Sequence, residues 1–214
     1  YQRRVRGMKC FATNQPVQEI RRAFFQDRTD DGDLEILLTE HELSFLVRRV
    51  AKQLNQKYKG NQEQIHLIGL LTGAYYFLAE LTKHLTFKYV VHFLKITSYN
   101  GEKRMEAAFE KNALMPYLEE PNVIFVDELI DSGSTLKTLL ALIPHAETCC
   151  CLSKGKPTEY VGCDFIPNAW LIGFGLDDNG EKRGFVHLMV KNMDPAERLQ
   201  WRERFGAWMQ QLGE

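Results

Sequence analysis

The sequence predicts an α/β fold in which a mostly parallel twisted sheet is flanked by helices. Strand-like apolar runs alternate with helix-like patterns along the chain, an order that builds a parallel sheet covered on both faces. The composition, 44% hydrophobic and 26% charged residues, is that of a globular domain. A length of 214 residues without an internal repeat or a linker fits one such domain.

The net charge and the distribution of apolar residues indicate which partners and which cell compartment to expect. A formal net charge of −1 gives the chain no general attraction to nucleic acid or to a membrane surface. The most apolar window, residues 65–81, contains His66, Gly69 and Glu80, so a strand, a turn and a helix explain it better than a membrane span. No long apolar core follows the basic start, as a signal peptide would require. We expect a cytoplasmic protein with no nucleic-acid and no membrane partner.

The five cysteines predict buried thiols rather than disulfides or a metal site. Cys149, Cys150 and Cys151 are consecutive in an apolar run, and neighbours on a strand point to opposite faces and cannot readily pair. Cys10 and Cys163 show no metal-ligand spacing with them. Reduced thiols are also what the cytoplasm favours.

The first half of the chain predicts a tail, two helices and two strands. Residues 1–33 form a polar segment with a basic start, and we expect it to be a solvated tail. Thr39 and Glu42 have the spacing of a capping box at the start of a helix over residues 39–56. Next come a strand at 65–71, a turn at Thr72 and Gly73, a helix at 74–85 and a strand at 89–97. Residues 98–112 are polar and long for a connection, which predicts a mobile loop beside an active site.

The second half completes the sheet and ends in a helix. Strands are predicted near residues 147–153, 170–176 and 185–190. Asp194 and Pro195 open a helix over residues 194–212. One face of that helix carries apolar side chains that predict packing on the core or contact with another subunit: Trp201, Phe205, Trp208, Met209 and Leu212. Residues 34–214 form the single predicted domain.

Residues 123–140 are the stretch that predicts chemistry. Val123 to Val126 predict a short buried strand, and three carboxylates follow: Asp127, Glu128 and Asp131. Four small residues then precede a helix-spaced apolar pattern: Ser132, Gly133, Ser134 and Thr135. A strand, an acidic turn, a small-residue loop and a helix start form an anion cradle in α/β proteins, although a solvated surface turn has a similar composition.

Polar groups or glycine stand at four predicted strand ends, and ligands in open α/β sheets bind beyond the carboxyl ends of the strands. These ends are Thr72 with Gly73, residues 127–135, Lys154, and residues 177–183. Hydroxyls and amides suit a phosphate, and carboxylates suit sugar hydroxyls or Mg²⁺. Lys154 and Arg183 suit further phosphate or a carbonyl oxygen. The pattern predicts an anion-binding, magnesium-assisted α/β protein.

Residues 123–135 closely resemble the signature of type I phosphoribosyltransferases: four apolar residues, two acidic, two apolar, then Asp, Ser or Thr, Gly, any residue and Thr. From about residue 35 to 191 the chain resembles the hypoxanthine (guanine) branch. The resemblance implies the fold of that family with a small hood subdomain, a homodimer or homotetramer, and Mg²⁺ as cofactor. It also implies purine salvage, in which phosphoribosyl pyrophosphate and hypoxanthine, or guanine, give IMP or GMP and pyrophosphate.

The resemblance implies phosphate, ribose and metal contacts at three strand ends. Residues 131–135 would wrap the 5′-phosphate. Asp127 and Glu128 match the pair that faces the ribose hydroxyls and the Mg²⁺ shell, and Asp177 matches a further Mg²⁺ ligand. The remaining matches are the pyrophosphate-binding turn at Thr72 and Gly73, a pyrophosphate contact at Arg183, and the start of the closing loop at Ser98 and Tyr99.

The purine contacts are implied in the same way. Asp131 matches the general base near purine N7, and Lys154 matches the lysine that donates to the exocyclic oxygen at C6. Trp170 matches the aromatic residue stacked on the purine, and Leu171 belongs to the same purine-binding segment.

Two departures from the branch leave the affinity and the base preference open. Thr72 stands where the branch often has lysine, and Asp178 stands where an aromatic residue is common. An enzyme that prefers xanthine or adenine is one alternative. The other, which only the basic N-terminus supports, is a regulator with this fold that binds nucleotide and nucleic acid.

Overall fold

The computed structural model describes residues 34–100, 103–108 and 111–213, so the predicted polar segment 1–33, with Cys10, lies outside the described residues. In chain order the elements are β1 (Leu34–Leu38), α1 (Glu40–Lys57), β2 (Ile65–Leu71), α2 (Ala74–Thr82), β3 (Tyr89–Lys95), β4 (Thr97–Asn100), β5 (Lys103–Ala108), a 3₁₀ helix (Lys111–Tyr117), β6 (Val123–Ile130), α3 (Ser134–Leu142), β7 (Glu147–Ser153), β8 (Tyr160–Cys163), β9 (Trp170–Ile172), β10 (Leu188–Lys191) and α4 (Pro195–Gln211).

The predicted parallel sheet is confirmed. Five strands lie in the order β3-β2-β6-β7-β8, and each neighbouring pair is parallel. In the middle of the sheet Ile68 stands opposite His92 on one side and Phe125 on the other. Because all five strands run the same way, their carboxyl ends meet at one edge. That edge carries the groups discussed below.

Apolar clusters cover the two faces of this sheet. Alternation along β7 places Cys149 and Cys151 in one cluster and Cys150 in the other. The first cluster includes residues of α1 and α2, and the second includes residues of α3. All four described cysteines are free and buried, as predicted, and burial raises the pKa of the thiols of Cys149, Cys150 and Cys151.

Helix α1 begins as the sequence predicts. The Thr39 side chain accepts a hydrogen bond from the Glu42 amide, and the Glu42 carboxylate accepts one from the Thr39 amide at 2.8 Å. These two bonds satisfy amide groups that a helix start would otherwise leave open. The buried stripe of the helix then fixes it against the sheet: Leu43, Leu46, Val47, Val50, Ala51 and Leu54.

A smaller antiparallel sheet, in the order β1-β10-β9, accompanies the main one. The sequence prediction missed β1, placed the last strand at 185–190 instead of Leu188–Lys191, and extended β9 to residue 176. The extension was wrong because Gly173 and Gly175 adopt φ angles of +90° and +101° and turn the chain. The small sheet positions Trp170 and Leu171 at the functional edge described below.

Three further differences concern strands. The carboxylates Asp127 and Glu128 lie on β6 rather than in a turn after it, because Leu129 and Ile130 continue the ladder with Leu152 and Ser153 of β7. Part of the predicted loop 98–112 forms the antiparallel pair β4–β5. The four-residue strand β8 was not predicted.

The C-terminal helix spans Pro195–Gln211, with Asp194 as its N-cap, close to the predicted 194–212. Trp201 and Phe205 are buried, and Trp208 and Met209 pack against the same core, so core packing explains most of the predicted stripe. Leu212 is 41% exposed and lies outside it. Within the described part of the chain, no helix combines the length and apolarity needed to cross a bilayer.

Candidate active site

The turn after β2 packs directly against an acidic side chain of β6. Gly73 follows Leu71 and Thr72, which are joined by a cis peptide bond. A Cβ atom on Gly73 would lie 2.6 Å from Oε2 of Glu128, and nearer still to the other two carboxyl atoms. Only a glycine therefore leaves room for the Glu128 carboxylate where it stands.

Glu128 is a buried acid at the carboxyl edge of the sheet. It is 7% exposed, and its Oε2 has no hydrogen-bond partner among the described residues. Burial raises the pKa of Glu128 well above its ordinary value, the neighbouring Asp127 charge adds to this rise, and Arg183 opposes it. Burial also raises the pKa of Asp127. An orphaned carboxylate oxygen in such a place suits a ligand with hydroxyl groups or a cation.

The loop after β6 has the geometry of an anion cradle. Gly133 has φ +76°, a left-handed conformation that glycine adopts without strain, and α3 starts at the next residue. The hydroxyl oxygens of Ser132 and Ser134 are 2.9 Å apart, and both side chains are exposed. Thr135 lies in the first turn of α3. The amides at the start of α3 and the positive end of the helix dipole favour a phosphate here.

Asp131 and Lys154 meet at the ends of β6 and β7. The Lys154 ammonium lies 3.3 Å from Oδ1 of Asp131 and donates a hydrogen bond to the carbonyl of Ala169 at 2.9 Å. The next residue, Trp170, is 53% exposed, whereas Leu171 is buried. A proton acceptor and a donor-only cation thus lie together in space, and the cation binds the carbonyl of the residue next to an exposed aromatic ring.

Asp177 and Arg183 form the fourth corner of the site. Arg183 Nη2 lies 2.6 Å from Oδ1 of Asp177, whose Oδ2 accepts a hydrogen bond from the Gly180 amide at 2.8 Å. Arg183 Nη1 also donates to the Gly175 carbonyl at 2.8 Å. Gly175 itself packs against the carbonyl of Gly73, so this hairpin abuts the turn after β2.

The structure brings the four predicted strand ends together, since Gly73 meets Glu128, Asp131 meets Lys154, and the hairpin of Asp177 and Arg183 meets the Gly73 turn. Thr72 is exposed in that turn. The backbone of Ser98 and Tyr99 lies on β4, and their side chains lie outside the described residues.

Sequence reasoning missed two contacts of Lys154, one of its ammonium group with a backbone carbonyl and one of its own backbone with Phe165. The Ala169 carbonyl that holds the ammonium carries no signal in the residue type. Lys154 forms an antiparallel bridge with Phe165, and the Phe165 carbonyl accepts a hydrogen bond from Trp201 Nε1 at 2.8 Å. The aromatic stripe of α4 was noticed, but its link to Lys154 requires the folded chain.

The oxygen ligands at this edge fit a magnesium ion shared with a substrate. No group of three or more His, Cys, Asp or Glu side chains among residues 34–100, 103–108 and 111–213 is arranged to hold a metal ion. Mg²⁺ usually keeps several waters and takes one or two carboxylates together with substrate phosphates. The Glu128 oxygen that lacks a hydrogen-bond partner in the described part of the chain, beside Asp127, suits that mode of coordination.

Comparison with known proteins points to one family. A family model described as phosphoribosyl transferase domain matches residues 33–178. The hypoxanthine-guanine phosphoribosyltransferase of Dictyostelium discoideum is 31% identical over 158 residues, covering 67% of this chain and 87% of the relative. That of Streptococcus pneumoniae is 27% identical over 172 residues, covering 75% and 94%. A crystal structure of a hypoxanthine-guanine phosphoribosyltransferase from Bacillus anthracis superposes with a TM-score of 0.60 at 27% identity, covering 73% and 97%.

Proposed function

The chain belongs to the phosphoribosyltransferase family, and we propose that it is a purine-salvage enzyme that moves the 5-phosphoribosyl group from phosphoribosyl pyrophosphate to hypoxanthine, with guanine as a further base. The products are IMP or GMP and pyrophosphate. The observation that carries the proposal is the Asp131–Lys154 pair, whose charged groups lie 3.3 Å apart, with Asp131 at the start of the phosphate loop. It supplies a proton acceptor and a cationic donor at one place beside the 5′-phosphate cradle.

The division of labour follows from the positions of these groups. Substitution at ribose C1 passes through an oxocarbenium-like state while anionic pyrophosphate leaves. Residues 131–135 hold the 5′-phosphate through backbone amides and side-chain hydroxyls. Arg183 stabilises the departing pyrophosphate, and Asp131 accepts a proton from the purine ring as carbon–nitrogen bond formation proceeds at C1.

The base-binding end selects a carbonyl group at C6. A lysine ammonium only donates hydrogen bonds, so Lys154 pairs with the oxygen of a 6-oxopurine and not with the amino group of adenine. The half-exposed ring of Trp170 offers a stacking surface to the purine, and Leu171 forms the buried wall next to it. This arrangement favours hypoxanthine and guanine over adenine.

Mg²⁺ is the cofactor we assign to the site. Asp127, Glu128 and Asp177 would hold it or its water shell, together with substrate oxygens. When bound, the ion neutralises the charge that develops on the leaving pyrophosphate. Glu128 is already buried, so pairing its carboxylate with a cation removes the cost that burial imposes on the charged form.

The remaining parts of the proposal concern loop, assembly and location. Ser98 and Tyr99 lie at the start of the segment that would close over the bound substrates and exclude water from the cationic state. We propose a cytoplasmic homodimer or homotetramer that binds phosphoribosyl pyrophosphate and a 6-oxopurine. Analytical ultracentrifugation of the purified chain tests the assembly, and a monomer at all concentrations would contradict it.

The test of the function is a transfer assay. The protein is incubated with hypoxanthine, phosphoribosyl pyrophosphate and Mg²⁺, and IMP is followed by absorbance and mass spectrometry. Asp131→Asn should lower kcat by about 10²-fold or more, because a positioned general base contributes about 10²–10⁴-fold. The dissociation constant for phosphoribosyl pyrophosphate should change far less. Equal losses in both quantities would contradict the assignment of Asp131 as the base.

A further inference from the structure

Asp178 is a buried carboxylate that the proposed chemistry does not use. The residue is 9% exposed, and its Oδ2 accepts hydrogen bonds from the ammonium groups of Lys182, at 2.9 Å, and of Lys191, at 3.1 Å. Its backbone exchanges two hydrogen bonds of 3.0 Å with Glu181. Asp178 is therefore fixed through both its side chain and its main chain. Buried carboxylates of this kind are paired because an unpaired charge is costly to bury.

The two neighbouring aspartates make contacts with different groups. Asp177 binds Arg183 and the Gly180 amide, whereas Asp178 binds the two lysines. A tight turn follows the two aspartates, in which Asn179 and Gly180 have φ angles of +52° and +88°. The hairpin over residues 177–183 thus carries the pair assigned to metal and pyrophosphate. It also contributes Asp178 and Lys182 to an ion triad that Lys191 completes.

Lys191 connects the ion triad to the smaller sheet. It lies on β10, which pairs with β1 and β9 of the smaller sheet, whereas Lys182 belongs to the hairpin itself. The Asp178 carboxylate consequently joins the hairpin to the small sheet. The Lys191 side chain is 32% exposed and that of Lys182 is 18% exposed, so the link is shielded from water over much of its surface. Shielding strengthens a charge-assisted hydrogen bond relative to one at an open surface.

We infer that Asp178 is a positioning residue, which anchors the hairpin 177–183 to β10 and so holds Asp177 and Arg183 where pyrophosphate and its metal ion bind. This inference rests on the proposed function. It goes beyond it because Asp178 touches neither substrate nor metal in the proposed site. Loosening the anchor displaces Asp177 and Arg183 together, while Asp131 and Lys154, on other strand ends, keep their places. The loss should therefore appear in the binding of phosphoribosyl pyrophosphate and not in that of the base.

The experiment compares three substitutions in the full chain. Asp178→Asn removes the charge with little change of shape. Lys191→Gln removes one half of the link and is the milder variant. Glu181→Gln, at an exposed position of the same hairpin, removes one charge without touching the triad and serves as the control.

Steady-state kinetics give KM for each substrate and kcat, and calorimetry gives the affinity for magnesium pyrophosphate. For Asp178→Asn we expect KM for phosphoribosyl pyrophosphate to rise about 10–100-fold, since displacement of a positioning group by about 1 Å costs on that order. KM for hypoxanthine should stay within about 2-fold. Lys191→Gln should show a smaller rise in the same constant, and Glu181→Gln should match the unmodified chain.

Each outcome decides between the inference and its rivals. An unmodified chain that makes no nucleotide would contradict the proposed function, whereas an active chain whose Asp178→Asn variant keeps its pyrophosphate affinity would overturn the positioning role alone. Parallel rises in both KM values would reduce Asp178 to a purely structural residue. If Asp178→Asn does not fold, Lys191→Gln decides by the same split between the two KM values.

Discussion

Replacement of Gly73 by alanine is the perturbation whose effect the structure specifies most fully. Gly73 has φ −62° and ψ −44°, which alanine adopts without strain, so the substitution strains no backbone angle. The obstacle is the Glu128 carboxylate, whose three atoms all lie within 2.6 Å of the added Cβ. Real Cβ contacts essentially never fall under 3.0 Å, so the carboxylate must move. Because Glu128 is buried, it has little room for that movement.

Two opposing terms set the expected change in the free energy of unfolding. Alanine restricts the unfolded chain and adds about 0.4–1 kcal/mol of stability. Overpacking a filled site costs about 1–3 kcal/mol. The steric term is the larger, so Gly73→Ala should lose about 1–2 kcal/mol, or about 2–8 °C in Tm for a chain of this size. Transfer activity should fall about 100-fold, because the acid assigned to ribose and metal is displaced.

Denaturant unfolding with a double-mutant cycle measures the effect. Glu128→Ala removes the clashing atoms, so adding Gly73→Ala to that variant should cost nothing and reveal a coupling free energy of about 1–3 kcal/mol. Gly206→Ala is the matched control: it lies inside α4 with open space around it, and it should gain about 0.5–1 kcal/mol. An equal loss from Gly73→Ala with and without the Glu128 side chain would refute the steric reasoning.

Three further predictions concern the base pocket and the buried acid. Lys154→Ala should raise KM for hypoxanthine about 10–100-fold, since a hydrogen bond to a charged group is worth about 1.5–3 kcal/mol. KM for phosphoribosyl pyrophosphate should stay nearly unchanged. An unchanged KM for hypoxanthine would show that Lys154 does not bind the base. Glu128→Gln should make the chain more stable at neutral pH. The pKa of Glu128 is raised in the fold, so the unmodified chain loses stability as pH rises from the ordinary value of 4.5 toward the raised one. Unfolding titrations should therefore show the two chains converging at acidic pH, and a difference that persists there would contradict the assignment. Trp201→Phe keeps a buried aromatic ring but removes the hydrogen bond to the Phe165 carbonyl, and it should raise KM for the base more than KM for phosphoribosyl pyrophosphate. Equal changes of the two KM values in steady-state kinetics would show that α4 does not support the base pocket.

Much of the fold is readable from the sequence because its signals are local. The strands at residues 65–71 and 147–153 match their predicted ranges, because each is built around a run of apolar residues and is flanked by polar segments. The capping box at Thr39 and Glu42 likewise depends on residues three apart. The acidic stretch was predicted as a turn, because carboxylates interrupt an apolar run, but pairing with β7 carries β6 through them to Ile130.

The candidate site was predictable as a set of residue types and not as a geometry. Parallel strands bring their ends to one edge, so the meeting of Asp131 with Lys154 followed from topology. The contact of Gly73 with Glu128 depends on a close approach between the turn after β2 and a side chain of β6, which no sequence pattern encodes. The hydrogen bond from Lys191 to Asp178 joins the hairpin to a strand that follows it in the chain, and the sequence alone indicates only an ordinary hairpin turn there.

A competition assay tests the central claim most directly. The protein receives equal concentrations of hypoxanthine and adenine with phosphoribosyl pyrophosphate and Mg²⁺, and both nucleotides are quantified by mass spectrometry. The donor-only Lys154 ammonium predicts IMP in large excess, with AMP lower by about 10-fold or more. Equal amounts of the two nucleotides would contradict the reading of the base pocket, and the absence of both would contradict the transferase itself.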